Sequence, residues 1–261
     1  MSLLTTLLTV ICGGAVGFSL GLVGGGGSIL AVPLLLYIVG IRDPHVAIGT
    51  SALAVSVNAF INLFEHWRAG NVVWPCAIVF AVAGSLGAAI GSTLGKLVDG
   101  QKLLFLFALV MIAVGAAMLI PRKNGGCVPQ KLDTPMTLRL SALGVCGGFV
   151  SGFFGIGGGF LIVPGLIFGS GMPIINAIGS SLFSVGTFGL TTAINYSLSG
   201  FVDWWVAIQF IAGGAAGGFF GMRAAVALAQ HKRTLTYLFV AIIVLAAVYI
   251  MLRTSGVAAS G

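Results

Sequence analysis

A glycine-rich apolar phrase near the start of the chain returns 131 residues later with its landmarks in register, and this repetition limits the fold more than any other feature. Gly17, Phe18, Gly21, Gly24, Gly26, Gly27, Leu30, Val32 and Pro33 recur as Gly148, Phe149, Gly152, Gly155, Gly157, Gly158, Leu161, Val163 and Pro164. Further on the offset is 130: Ala47-Ile48-Gly49-Thr50-Ser51 becomes Ala177-Ile178-Gly179-Ser180-Ser181. Gly70, Trp74, Gly84, Gly87 and Gly91 likewise become Gly200, Trp204, Gly214, Gly217 and Gly221. The copies run to Ile120 and Ile250. A duplicated apolar chain of this length is how many transporters are built, with the working site where the halves meet.

The chain is 58% apolar and only 7% charged, where a soluble domain carries about 25% charged residues. Its mean hydropathy of +1.15 places it in a lipid bilayer. Uncharged runs from Met1 to Ile41, Ala69 to Gly95, Leu140 to Val202, Trp204 to Met222 and Thr234 to Leu252 can each cross a core about 30 Å thick. They do not alternate apolar and polar residues, so helices are expected rather than a barrel. The net charge of +7 sits in loops and reads as an orientation signal. No basic residue precedes the first apolar stretch, so that stretch is expected to remain as the first helix. Cys12, Cys76, Cys127 and Cys146 lack metal-ligand spacing and read as small apolar residues, Cys127 in a loop and the others buried. No metal, cofactor or nucleic acid is expected.

The run from Ser2 to Ile41 is too long for one span, since 40 residues of helix would reach about 60 Å. Gly24 to Gly27 is where it must break. Each half then has five segments: a helix to about Leu22, a short helix from Ser28 to about Val39, and spans near Val46–Phe64, Val72–Gly95 and Leu103–Ile120. The second half repeats them as Leu140–Phe153, Phe160–Phe168, Ile174–Leu198, Trp204–Met222 and Thr234–Leu252. The expectation is an all-α polytopic membrane protein of two five-segment repeats with glycine-broken or re-entrant helices near the midplane, the repeats at 1–120 and 138–252, a linker at 121–137 and a tail at 253–261. If the glycine break makes a re-entrant hairpin or two spans, the repeats are inverted. Arg68, Arg122, Lys123, Lys131, Arg139, Arg223, Lys232 and Arg233 then face one side, and Arg42, Lys96, Lys102 and Arg253 the other. Parallel repeats would divide the twelve basic residues six and six. The inverted arrangement obeys the positive-inside rule better, with both termini outside.

Gly24-Gly25-Gly26-Gly27-Ser28 and Gly155-Ile156-Gly157-Gly158-Gly159 each lead into a short helix with a proline, Pro33 or Pro164, at its sixth position. A helix starting inside the membrane presents unpaired N–H groups and the positive end of its dipole, which suits an anion. Glycine lets a ligand approach those amides. Adjacent glycines point all round a helix and cannot serve one packing face. By contrast Gly17/Gly21, Gly87/Gly91, Gly148/Gly152 and Gly217/Gly221 have the spacing of helix-packing pairs. Thr50-Ser51 and Ser180-Ser181 lie about a turn into the next spans, and Thr50, Asn58 and Asn62 share one helical face. These polar groups serve either the substrate or neighbouring helices. Glu65 and His66, with Arg68, could gate or couple transport, but their repeat partners Asn195, Tyr196 and Leu198 are uncharged, which favours a solvated helix end. His45 and His231 are expected in loops. No carboxylate lies deep in a span, which argues against a strongly proton-driven pump.

At these residues the chain resembles the sulfite exporter TauE/SafE family. The phrases are "GLVGGGGSILAVPLLL" with "AIGTSALAV", then "GFFGIGGGFLIVPGL" with "AIGSSLFSV", and "AGNVVW" and "SGFVDWW" opening later helices. The resemblance implies a bacterial plasma-membrane secondary transporter of sulfite, organosulfonates or related small anions, often outward. Gly25 and Ser28 stand opposite Ile156 and Gly159, so the two breaks differ. The substrate-binding set implied by these readings is Gly24, Gly25, Gly26, Gly27, Ser28, Thr50, Ser51, Asn58, Asn62, Gly155, Gly157, Gly158, Gly159, Ser180 and Ser181. Alternatives are a transporter or channel for another small anion, an intramembrane enzyme using Ser28, or a structural subunit. The enzyme lacks an activating base within a span, and a structural subunit needs no matched glycine breaks.

Overall fold

The computed structural model describes residues 3–119, 133–155 and 159–228, together with Ala241, Val244 and Val248. Most of the expected last span, most of the linker, Gly157, Gly158, Cys127, His231 and six of the basic residues counted for orientation lie outside the described residues. All regular structure in the described residues is helical. α1 is Leu3–Val23; a 3-10 stretch Gly24–Leu30, a helical turn α2 (Ala31–Leu34) and a π-helical turn Leu35–Val39 follow without interruption. Next come α3 (Pro44–Arg68), α4 (Trp74–Gly95) and α5 (Gly100–Leu119), then α6 (Thr134–Phe154), α7 (Gly159–Ser170), α8 (Ile174–Ser197) and α9 (Trp204–Leu228). Six of these, α1, α3, α4, α6, α8 and α9, are long and apolar enough to cross a membrane.

The break in the first half is one residue, not a four-residue gap. Gly24 has φ of +68° and ends α1, and its repeat partner Gly155 has φ of +66° and ends α6. A left-handed conformation of this kind is open to glycine at little cost, so it stops the helix there. The rest of the glycine run is itself wound as a 3-10 helix. It folds back along α1, because a Cβ on Gly27 would meet the backbone of Ser19 and Leu20. The other positive-φ glycines in the described residues also pair across the repeat, Gly40 with Gly171 and Gly70 with Gly200. The residue missing from the second copy is lost from the turn before the third span, which runs from Gly40 to Asp43 in one half and from Gly171 to Pro173 in the other.

The packing follows the repeat. α1 lies parallel to α9 with Gly13, Gly17 and Gly21 against the backbone of Phe210, Gly214 and Gly218. α6 lies parallel to α4 with Gly144, Gly148 and Gly152 against Phe80, Gly84 and Ala88, the equivalent residues. The glycine pairs expected to serve packing do so: Gly87 and Gly91 meet Val145 and Phe149 as Gly217 and Gly221 meet Gly14 and Phe18. Each glycine lets two backbones approach to a distance that any side chain would prevent. Between these two pairs lie α3 and α8, the most buried spans. They run antiparallel: Gly49 lies by Tyr196, Ser56 donates its hydroxyl to the Gly186 carbonyl at 2.7 Å, and Asn71 lies by Gly179.

Three expectations need correcting. His66 is fully buried, so the end of α3 is not a solvated helix end on that face. His45 is not in a loop: it opens α3 with its ring 5.6 Å from that of Phe201, and the Asp43 carboxylate caps the helix by accepting from the His45 amide. Cys146 is exposed on α6, on a surface with Leu138 and Val145, whereas Cys12 and Cys76 are buried.

Candidate functional site

Each glycine break is seated on the central helix of the opposite half. A Cβ on Gly24 would meet Ile178 and Ser181 of α8, and one on Gly155 would meet Ile48 of α3, the residue equivalent to Ile178. The 3-10 stretch also packs along α7, so the two short segments that follow the breaks touch. The Gly25 amide donates to Ser181 Oγ at 3.1 Å, and that hydroxyl donates onward to the Ile178 carbonyl at 2.7 Å. Ser51 makes the same bond to the Ile48 carbonyl at 2.8 Å. Ser28 turns its hydroxyl onto the Gly25 carbonyl at 2.8 Å, an arrangement that does nothing to activate a nucleophile. Gly26 and Gly27 lie within the 3-10 stretch, and Gly159 begins α7.

Thr50 and Ser180 do a matched job elsewhere. Thr50 Oγ1 accepts from the Asp203 amide at 2.9 Å, and Ser180 Oγ accepts from the Val73 amide at 2.8 Å. Asp203 and Val73 stand just before α9 and α4, so each hydroxyl takes up a backbone donor at the start of a span of the other half.

Asn58 and Asn62 belong to a polar row that sequence spacing had only begun to show. Thr50, Asn58, Asn62 and His66 recur at multiples of four, and all are buried. Asn58 lies against Gly214 and Asn62 between Gly21 and Gly218, so the row faces α1 and α9. Among the described residues neither polar atom of the Asn58 side chain has a hydrogen-bond partner; Asn62 donates to the Asn58 carbonyl at 2.8 Å, while its own side-chain oxygen has no partner there. His66 Nε2 donates to the Gly21 carbonyl at 2.9 Å, which assigns the proton to Nε2, because a carbonyl only accepts. Its Nδ1 faces the Asn71 amide nitrogen at 3.5 Å. The i+4 spacing from Asn62 was the signal that could have placed His66 on this row.

A second group joins α4 to α8. Asn195 Nδ2 donates to Ser92 Oγ at 2.7 Å and Thr93 Oγ1 at 2.9 Å. Lys96 Nζ donates to the Asn195 side-chain oxygen at 2.7 Å and to Ser199 Oγ at 2.9 Å. In the equivalent place Glu65, half-buried at the end of α3, makes no hydrogen bond or ion pair through its side chain among the described residues.

Six candidate spans with paired short segments behind glycine breaks are the build of a membrane transporter. A family model described as sulfite exporter TauE/SafE matches residues 9–250, and the chain belongs to that family. A "Probable membrane transporter protein" of Xylella fastidiosa (strain 9a5c) is 51% identical, covering 97% of this chain and 98% of its own. The "Probable membrane transporter protein YunE" of Bacillus subtilis is 26% identical over 94% of this chain and 95% of its own. "Probable membrane transporter protein MJ0441" of Methanocaldococcus jannaschii is 31% identical over 73% and 70%. No solved structure matches the chain.

Proposed function

We propose that this protein is a secondary transporter that moves small sulfur-containing anions, sulfite or organosulfonates, outward across a bacterial plasma membrane. Its two halves act as inverted repeats around a shared site. The observation that carries this reading is the seating of each left-handed glycine break on the opposite half's central helix, Gly24 at Ile178 and Gly155 at Ile48. Inversion is supported by the antiparallel run of α3 and α8, which are equivalent elements; related helices that cross antiparallel imply halves of opposite orientation. The sulfur-anion reading rests on family membership and on the chemistry of amides, hydroxyls and carboxamides, which bind an oxyanion without a buried cation.

In this reading the anion's oxygens replace the Ser181 hydroxyl as acceptors for the Gly25 amide and its neighbours. Gly26 has no side chain to bar the approach, Gly27 lets the segment lie on α1, and Ser28 and the Asn58 carboxamide supply further donors; Gly155, Gly157, Gly158 and Gly159 with Ser51 would form the equivalent cradle of the second half. Thr50 and Ser180 hold the spans that frame the site, and the carbonyl of Asn62 sets its far edge. The bilayer is the protein's standing partner.

Flux of sulfite, sulfoacetate, taurine, sulfate and acetate in proteoliposomes tests the substrate. Sulfite or sulfoacetate should move, and Gly26→Leu should abolish that movement in a protein that remains inserted and monodisperse. Movement of acetate alone, or unchanged flux in Gly26→Leu, would refute the assignment. Orientation is tested separately by single cysteines at Ala69 and Leu198, in equivalent loops, which should label from opposite sides of the membrane.

A further inference from the structure

The repeat register places a charged pair where the structure has a polar latch. On one end of the molecule Asn195 of α8 is bonded to Thr93 of α4 at 2.9 Å, with Ser92 at 2.7 Å and Lys96 at 2.7 Å completing the set. Applying the offset of 130, the equivalents of Asn195 and Thr93 are Glu65 on α3 and Arg223 on α9. The helices that carry them are in the same register at both ends, because Asn58 meets Gly214 as its equivalent Phe188 meets Gly84. A carboxylate and a guanidinium therefore occupy the two positions that bond to one another in the other half.

They do not bond here. Glu65 makes no ion pair among the described residues, and the Arg223 guanidinium lies over the Phe219 ring at 3.6 Å. Arg68 of α3, another cation on this side, stands over Phe64 at 5.7 Å. One latch is closed while its counterpart, built from stronger chemistry, is open.

We infer that Glu65 and Arg223 form the second of two alternating gates, closing their end of the molecule when the Thr93–Asn195–Lys96 latch at the other end releases. The inference rests on the inverted-repeat reading above. In a working cycle two halves related by inversion exchange conformations, so a contact made by one half in this state is made by the other half in the opposite state. The charged pair is made and broken without leaving either group buried alone, since Arg223 has an aromatic face to return to and Glu65 a partly exposed helix end. Both are positioning residues: they set which side is sealed and need not touch the anion.

Two double-cysteine variants on a full chain with Cys12, Cys76, Cys127 and Cys146 replaced by alanine test this in liposomes. Thr93→Cys with Asn195→Cys should cross-link in the protein as it stands, and Glu65→Cys with Arg223→Cys should cross-link only in the opposite state. Locking either pair should block the other pair's accessibility to a short crosslinker. Glu65→Arg and Arg223→Glu should each lower flux roughly tenfold, since like charges at a closing contact are costly. The combined reversal should recover most of that loss, a rescue that a merely structural role would not give. Simultaneous cross-linking of both pairs, or no rescue by the double reversal while the parent transports, would overturn the gate and leave the transporter reading intact. Cross-linking that alternates in a protein moving none of the five anions would leave the gate standing and overturn the substrate instead.

Discussion

α3 and α8 occupy equivalent places and share a backbone plan, yet their side chains along the buried row differ. Thr50 and Ser180 cap α9 and α4 in the same way, and Ser51 and Ser181 bond the same carbonyl. After that the row diverges. Where α3 has Asn58 against Gly214 with both side-chain polar atoms unpartnered among the described residues, α8 has Phe188 against Gly84, its ring 6.3 Å from Phe80. Where α3 has Asn62 and His66, α8 has Thr192 and Tyr196, whose hydroxyls have no partner among the described residues. The duplicated part is the scaffold of glycine contacts, breaks and caps. The polar equipment of the first half is its own, and leaving a buried carboxamide unpartnered costs about 1–3 kcal/mol.

The largest effects should fall where the halves are alike. Gly17 and Gly148 lie on the backbone of Gly214 and Gly84, so leucine at either position must push two helices apart. Gly17→Leu and Gly148→Leu are expected to destabilise by about 3 kcal/mol or more, through overpacking that the backbone contact leaves no room to relax. Loss of monodispersity and of thermal stability in detergent reads this out, and both variants should fail to a similar degree. Failure of one alone would mean the halves do not share their packing.

An intermediate effect sharpens the comparison by exchanging the side chains that differ. Asn58→Phe gives the first half the residue that packs against glycine in the second, and it removes two unpartnered polar atoms. Thermal stability should hold or rise by about 1 kcal/mol while anion flux collapses. Phe188→Asn is expected to do the reverse to stability, losing about 2–4 kcal/mol as an apolar ring is replaced by a buried amide without a partner. If Asn58→Phe transports normally, the carboxamide is not part of the pathway and the two rows differ only by drift.

How much of this could be read from the residues themselves divides along the same line. The repeat, the place of both breaks and the glycine contacts were legible because each rests on local chemistry: a left-handed residue must be glycine, and a close helix contact needs small residues at i and i+4. Helix ends were less so. α3 extends past Phe64 to Arg68 because His66 finds a carbonyl on α1, a contact between segments 45 residues apart that no local pattern reveals. The apolar run also hid Thr50 and Ser180 as caps, because their partners Asp203 and Val73 come from the other half. A hydroxyl on an apolar face looks the same whether it awaits a ligand or already holds a backbone amide. Lys96 and Asn195 could have been paired only through the antiparallel crossing of α3 and α8, which sets the register of everything packed around them.

The smallest expected effect separates His66 from Tyr196, equivalent residues buried to the same extent. His66 holds the Gly21 carbonyl, three residues before the first break, and its ring faces Asn71, whose own carbonyl lies on α8 by Gly179. The ring thus bridges the end of α1 to the start of α8, on either side of the segment that carries Gly25. Tyr196 holds no such bridge among the described residues: its hydroxyl has no hydrogen-bond partner there, and its ring packs beside His45 and Phe201 with the Lys96 ammonium over it. His66→Phe should lower thermal stability by about 1 kcal/mol, the net worth of one buried hydrogen bond, and slow flux because the break loses its tether. Tyr196→Phe should leave both within about 0.5 kcal/mol of the parent, because it deletes an atom without a hydrogen-bond partner among the described residues. Equal losses in the two variants would mean the Tyr196 hydroxyl finds a partner in another state of the cycle, and the two ends of the molecule would then be alike in function despite their different residues.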